Sequence, residues 1–239
     1  MDEYYLTEKQ RIQLEIEKEE IKKAKKEKWK KRKKVYIIVA VVILLLIAFY
    51  IYETEYNVTV HKPVIYLYPE ETSEVTVSVD FAGDFTTTYP LYENGWRITA
   101  NPDGTLYDAE GKAYNYLYWE GISDVTFDMS EGFCVKGSDS AEFLEEALDK
   151  LGLTRREANE FIVYWLPLME QNQYNVISFQ TVAYEESAVL EVNPKPDTVI
   201  RVFMTWYGSN KPVDIKEQKL SAPERSGFTV VEWGGSMVK

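Results

Sequence analysis

The sequence predicts an α+β chain: one transmembrane helix, then an antiparallel, β-rich and sandwich-like extracellular domain with an inserted pair of helices. The transmembrane helix rests on residues 35–52, VYIIVAVVILLLIAFYIY, an uncharged and mostly apolar run. At 1.5 Å rise per residue such a run makes about 27 Å of helix, close to the thickness of a bilayer's hydrocarbon core. The β-rich domain rests on repeated apolar–polar alternation between residues 56 and 233, with β-branched and aromatic enrichment. The helical pair rests on a change to i, i+3, i+4 spacing between residues 139 and 169. Strands, then helices, then strands again define the α+β class.

Residues 1–34 precede the span as a charged, basic tail. Thr7 with Gln10 matches a capping box, and the Glu- and Lys-rich stretch after it lacks Gly and Pro, so a helix over 7–34 is expected to run towards the membrane. Ile12, Leu14, Ile16 and Ile21 keep no heptad through to Trp29, which favours a solvated charged helix over a coiled coil. Its basic end, KKAKKEKWKKRKK over 22–34, suits anionic lipid headgroups. Those lysines and arginines assign the tail to the cytoplasm and residues 53–239 to the outside. The exit from the span reads AFYIYETEY, with bulky tyrosines where a cleavage site needs small residues, so an uncleaved signal anchor is expected. Tyr36, Tyr50 and Tyr52 suit the interfacial aromatic belt, as does Trp29 further in.

Outside the membrane, residues 56–68 and 73–81 alternate as strands across a Pro69-Glu70-Glu71-Thr72 turn. Residues 96–100 and 114–119 extend the pattern, with turns at Pro102-Asp103-Gly104 and Ala109-Glu110-Gly111. Two short strands are expected at 125–129 and 133–136. Asp139 with Glu142 then gives a capping signature ahead of Phe143, Leu144, Ala147, Leu148 and Leu151, and Gly152 is placed to end that helix left-handed. Thr154 with Glu157 caps a second helix whose Ala158, Phe161, Ile162, Trp165, Leu166 and Met169 form a face for the core, with a kink expected at Pro167. Strands resume at 174–180, 188–192, 199–207, 213–217 and 228–233.

Charge divides sharply along the chain. The tail holds 13 Lys+Arg and 8 Asp+Glu, whereas residues 53–239 hold 14 and 31, a net of −17. Nucleic acids and other polyanions are therefore poor partners for the outer domain. One cysteine, Cys134, excludes an internal disulfide, and one histidine, His61, excludes a multi-histidine metal site. No cofactor is expected.

Candidate site residues come from two phrases, YNYLYWEG at 114–121 and VEWGG at 231–235. Each sets a carboxylate beside a tryptophan and before glycine, a combination suited to stacking on sugars and hydrogen-bonding their hydroxyls. Tyr116, Tyr118, Trp119, Glu120, Glu232 and Trp233 are the candidate binding residues, and Glu120 with Glu232 the candidate acid/base pair. Strand alternation offers a plainer reading, with Tyr116, Tyr118 and Glu120 on one face and Leu117 with Trp119 on the other, packing a sheet. A His61–Cys134 dyad requires folding to join them, and Cys134 between Phe133 and Val135 in an apparent strand reads as a small hydrophobe. Asn101, Asp103, Asp108 and Glu110 crowd one loop without EF-hand spacing, so hairpin turns are favoured over calcium. Arg201 lies in an apolar strand; it reads as an exposed edge residue, with a buried ion pair as the alternative.

Six phrases carry a resemblance: HKPVIYLYPE (61–70), YNYLYWEG (114–121), FIVYWLPLM (161–169), YNVISFQ (174–180), RVFMTWY (201–207) and GFTVVEWGG (227–235). Together they resemble a family of uncharacterised bacterial membrane-anchored or surface proteins, mainly Gram-positive, with KPVIYLYP-like and EWGG-like motifs. The resemblance spans most of residues 60–236. It implies a cell-surface address and one continuous outer domain, and transfers no catalytic residue. The expectation is a single-span cell-envelope protein whose outer domain binds or scaffolds an envelope glycan or protein. A cell-wall glycan hydrolase using the paired carboxylates is the alternative.

Overall fold

A computed structural model describes residues 8–56 and 58–238. The chain divides into two units, 1–56 and 57–239. In the first, α1 (Glu8–Tyr56) is a single helix of 49 residues that joins the expected tail helix to the expected span. No Gly or Pro interrupts it. The proposed cap at Thr7 lies outside the described residues. From Val35 to Ile51 its large apolar side chains are exposed, so the run buries nothing within the chain, and the helix is long and apolar enough to cross a bilayer. Glu19–Lys22 and Glu27–Lys30 pairs decorate the charged half, each worth a few tenths of a kcal/mol at most.

The second unit has an eight-stranded sheet, a five-stranded sheet and three helices among its described residues. In chain order the strands are β1 (Val58–Tyr68), β2 (Ser73–Phe81), β3 (Asp84–Tyr89), β4 (Trp96–Ala100), β5 (Leu106–Tyr107), β6 (Ala113–Tyr114), β7 (Leu117–Ser123) and β8 (Glu131–Lys136). Helices α2 (Ser140–Lys150) and α3 (Arg155–Met169) follow, then β9 (Tyr174–Phe179), α4 (Val182–Ser187), β10 (Ala188–Asn193), β11 (Thr198–Ser209), β12 (Lys216–Glu217) and β13 (Thr229–Met237). The large sheet runs β12-β8-β9-β11-β13-β1-β7-β3 and the smaller one β10-β2-β4-β5-β6. Pairing is antiparallel except for β11 with β13 and β12 with β8.

Two cores follow from the two faces of the large sheet. On β1, Ile65 and Leu67 pack towards the smaller sheet with Val75, Val77, Ile98 and Trp119. Val64 and Tyr66 point the other way, onto Leu144, Phe161 and Trp165 of α2 and α3. Buried on both faces, β1 reads as a nearly continuous apolar run from Pro63 to Leu67.

Several expectations need correction. Residues 125–129 form no strand. Their alternation is that of an irregular segment fastened to the core: Phe127 packs on Phe203 at 5.2 Å, Gln180 donates to the Asp128 carbonyl, and Thr205 donates to Met129 Sδ. The 213–217 strand shrinks to β12, because the Val213 N–H is donated to Cys134 Sγ at 3.2 Å. The 114–119 run divides, Tyr114 pairing in the smaller sheet and Leu117 onward in the larger. Strand β3 and helix α4 had no counterpart in the expectations. Asp139 stands at the N-cap of α2 but makes no capping bond, its Oδ1 accepting from Ser138 instead. The α3 cap does form: Thr154 Oγ1 accepts the Glu157 N–H, and Glu157 Oε2 accepts the Thr154 N–H at 2.7 Å. Gly152 takes the left-handed conformation (φ +81°) after α2. Phe161, Trp165 and Met169 are fully buried, whereas Ile162 is half-buried at the margin of that core. Helix α3 continues through Pro167 to Met169.

Candidate functional site

The site begins with a defect in β1. Lys62 precedes a proline inside a central strand, and proline cannot donate to a ladder. Both ladders of β1 shift register there, between His61 and Val64 on β13 and between Val60 and Val64 on β7. Lys62 takes φ +60°, a left-handed conformation that costs a residue with a side chain about 1–2 kcal/mol. Neighbours hold the bulge in place. Glu120 Oε1 accepts the Lys62 N–H at 3.1 Å. Pro63 lies against Gly234, where an added Cβ would come within 3.1 Å of it. At Gly235 a Cβ would meet the Met204 carbonyl at 2.5 Å and the Trp165 ring at 2.7 Å. Pro63 of the opening phrase thus packs on Gly234 of the closing one, while Gly235 makes room for Trp165 of α3.

The bulge turns the Lys62 side chain onto three phenol rings. Its Nζ lies 5.4, 5.3 and 5.8 Å from the ring centroids of Tyr116, Tyr118 and Tyr164, within cation–π range. All four residues, with Glu120 and His61, are half-buried. His61 Nδ1 lies 3.9 Å from Glu120 Oε1. Burial raises the Tyr118 phenol well above its ordinary range, and a hydrogen bond to Glu120 adds to the shift. Burial and then Glu120 raise Tyr164, while burial and then Glu160 raise Tyr116. At neutral pH the three phenols are therefore hydrogen-bond donors beside an ammonium and a carboxylate. The row continues through Tyr66, which donates to Glu160 at 2.9 Å, to Tyr68, stacked on Tyr66 at 6.2 Å. Arg225 covers Tyr68 at 5.8 Å and pairs with the buried Glu157.

The remaining candidates lie elsewhere. Glu232 is fully buried between the sheets, its Oε2 accepting from Arg201 Nε at 2.6 Å and its Oε1 from Trp119 Nε1 at 3.2 Å. Arg201 is therefore not an exposed edge residue. Burial disfavours its charge, yet Glu232 and then Tyr184 hold the guanidinium above its ordinary value. Tyr184 covers the guanidinium at 4.6 Å and stacks on Phe203 at 4.1 Å. Trp233 is sealed beneath α3 against Phe161.

Glu120 shares its face with Tyr116 and Tyr118, packed on the helix side, whereas Glu232 contacts Trp119 in the opposite core. Glycoside hydrolysis by a carboxylate pair needs both carboxylates flanking one bond. Across the sheet, that arrangement does not exist.

His61 and Cys134 stand on β1 and β8, with β13, β11 and β9 between them, about 19 Å apart at the usual strand spacing. The acidic loop is turn chemistry. Asp103 Oδ1 accepts the Thr105 N–H, Asp108 Oδ1 accepts those of Glu110 and Lys112, and Asp108 Oδ2 accepts the Tyr114 hydroxyl. Among the described residues no group of three or more His, Cys, Asp or Glu side chains is placed to hold a metal ion. An open cleft of about 560 Å³ over the smaller sheet, lined by Thr76, Glu93, Trp96, Arg97 and Glu191, is separate from the tyrosine row.

Lys62, Tyr164 and His61 belong to the site and were not among the sequence candidates for it. The signal for Lys62 was available, since a proline within a strand pattern marks a bulge. Nothing local indicates that Tyr164 reaches Lys62, because α3 and β1 meet only in the folded domain.

No family model matches this chain, and no solved structure does. A curated relative, described as an uncharacterized protein in the bglA 3' region of Butyrivibrio fibrisolvens, is 46% identical over 63 residues. The match takes in 25% of this chain and spans 65% of that protein's length.

Proposed function

We propose that this chain is a single-span, membrane-anchored cell-envelope protein whose β-rich domain is extracellular and works as a binding module. Its contact surface is Lys62, Tyr116, Tyr118, Tyr164 and Glu120. One observation carries the reading: three half-buried phenols, an ammonium and a carboxylate converge on one sheet face. Phenol faces stack on the apolar faces of sugar rings, and the hydroxyls with Glu120 supply donors and an acceptor for a polyhydroxylated ligand. The net charge of −17 over residues 53–239 favours a neutral or cationic envelope glycan over a polyanion. The basic residues of 22–34 support a cytoplasmic tail resting on anionic headgroups. The motif resemblance to bacterial membrane-anchored proteins supports the same address.

Full-length protein in nanodiscs, incubated with insoluble cell-wall glycan and sedimented, tests the proposal. Tyr118→Ala should weaken retention about tenfold, equivalent to 1.4 kcal/mol, and no soluble fragments should be released. Unchanged retention in Tyr118→Ala overturns this site. Release of fragments that Glu120→Gln abolishes overturns binding in favour of glycan hydrolysis.

A further inference from the structure

Helix α3 changes character along its length on the side that faces away from the sheet. In its first half the exposed positions are Arg155, Arg156 and Asn159. Along its second half they are Val163, 75% exposed, Pro167, and Leu168, 50% exposed. From Phe161 to Met169 the helix has no charged residue, although only one side of it is buried. An apolar face left in water is a liability unless something covers it.

Contacts with β1 place this apolar half at a definite end of the domain. Reading back along β1, Tyr68 is raised by burial and then by Glu157, Tyr66 donates to Glu160, Lys62 lies 5.8 Å from Tyr164, and the His61 ring lies 6.4 Å from that of Trp165. Helix α3 therefore runs against β1, with its apolar half beside the start of the strand. Two further exposed apolar residues share that end and the helix face of the sheet. Ile122 sits opposite Thr59, and Met237, 63% exposed, lies two residues beyond Gly235, the partner of His61. Val58 follows Tyr52, the last residue of the apolar run, by six residues, a contour of at most about 21 Å.

We infer that the outer face of α3 formed by Val163, Pro167 and Leu168, with Ile122 and Met237, rests in the interfacial layer of the membrane that α1 crosses. The inference rests on the anchored reading above. The tether bounds the distance from the apolar run to the start of β1 at about 21 Å, and the charged half of α3 suits water. An exposed apolar stretch beside a charged one is the pattern of a helix that lies in the interface.

Nitroxide labels on the full chain in phosphatidylcholine nanodiscs test it. In a Cys134→Ser background, single labels are introduced by Val163→Cys, Leu168→Cys, Leu44→Cys in the apolar run, and Val189→Cys on β10 of the smaller sheet. Leu168→Cys keeps the face testable should Val163→Cys disturb folding. The ratio of oxygen to aqueous nickel accessibility should be several-fold higher at positions 163, 168 and 44 than at 189. A lipid-like signal at 44 with aqueous signals at 163 and 168 overturns the inference and leaves the anchor standing. An aqueous signal at 44 overturns the anchor, and the inference with it. Spin–spin broadening at 163 in place of oxygen access assigns the face to a second copy of the chain and likewise overturns the inference.

Discussion

Replacing Glu232 by glutamine separates a structural carboxylate from a catalytic one. Glu232 is fully buried and Arg201 nearly so, and the carboxylate carries the guanidinium on one oxygen and the Trp119 indole on the other. Glutamine keeps the shape and one acceptor but leaves Arg201 as an unpaired charge between two sheets, facing Tyr184 and the Ala188 carbonyl. Breaking a buried pair from one side costs about 3–5 kcal/mol, against a typical domain stability of roughly 5–15 kcal/mol. For a domain of this size about 2–4 °C is lost per kcal/mol, so the melting temperature should fall by roughly 6–20 °C. Thermal melts of the detergent-solubilised protein, followed by tryptophan fluorescence and near-ultraviolet dichroism, give the number. The double variant Arg201→Met with Glu232→Leu removes both charges and should recover much of the loss, because neither ion then remains to be solvated by protein. Glu120→Gln, with an accessible side chain that can still accept the Lys62 N–H, should move the melt far less. A Glu232→Gln protein that melts within about 2 °C of the parent, a shift of no more than about 1 kcal/mol, would refute the assignment of Glu232 as a structural anchor.

Trp165→Ala should cost about 3–5 kcal/mol in denaturant titrations, since its buried ring packs on Phe161, Tyr164 and Trp206; a harmless substitution would mean α3 is not seated on the sheet. Gly235→Ala drives a Cβ towards the Met204 carbonyl and the Trp165 ring and should lower the melting temperature by an amount equivalent to about 1–3 kcal/mol, whereas unchanged melts would contradict the close seating of Trp165 on β13 at Gly235. Thr154→Ala should cost about 1 kcal/mol by losing the α3 cap, read as a shifted denaturation midpoint at constant slope. Tyr66, Tyr68 and Tyr118 have phenols raised above the ordinary 10.0 by burial, so the folded state holds these protons after the unfolded chain has released them. Their contribution is present in full below pH 10 and is lost as pH rises through the folded values, so ultraviolet titration should show their ionisation coinciding with alkaline unfolding rather than preceding it.

Much of the fold was legible because its signals are local. Alternation in SEVTVSVDF marks β2 from Ser73 to Phe81, with Val75, Val77, Val79 and Phe81 all buried, and Thr154 with Glu157 forms the capping box at the start of α3. Local signals also misled where burial alternates without pairing. Val125, Phe127 and Met129 are each half-buried between exposed neighbours, which is the periodicity of a strand, yet Phe203, Gln180 and Thr205 hold the segment where a ladder would otherwise run. Strand β3 escaped notice for the opposite reason. Its DFTTTY is an edge strand with mostly exposed side chains, so little apolar contrast marks it.

The candidate site was legible only to the depth that one strand allows. Along β7 and the residue before it, a period of two places Tyr116, Tyr118 and Glu120 together and sets Trp119 apart, and the structure keeps that division. Within β13 the same period sets Val230 and Glu232 against Val231 and Trp233. Which set of one strand shares a face with which set of the other depends on register, and a one-residue slip exchanges every side chain between faces. Here β1 joins them: Ile65 pairs with Glu232 on one side and with Leu117 on the other. Glu232 thereby falls in line with Leu117 and Trp119, and Glu120 falls on the far side with the tyrosines. The bulge at Lys62 supplies the other half of the site by the same logic. By shifting both ladders of β1 it presents a lysine to rings from β7 and α3, elements brought together by tertiary pairing and not by spacing along the chain.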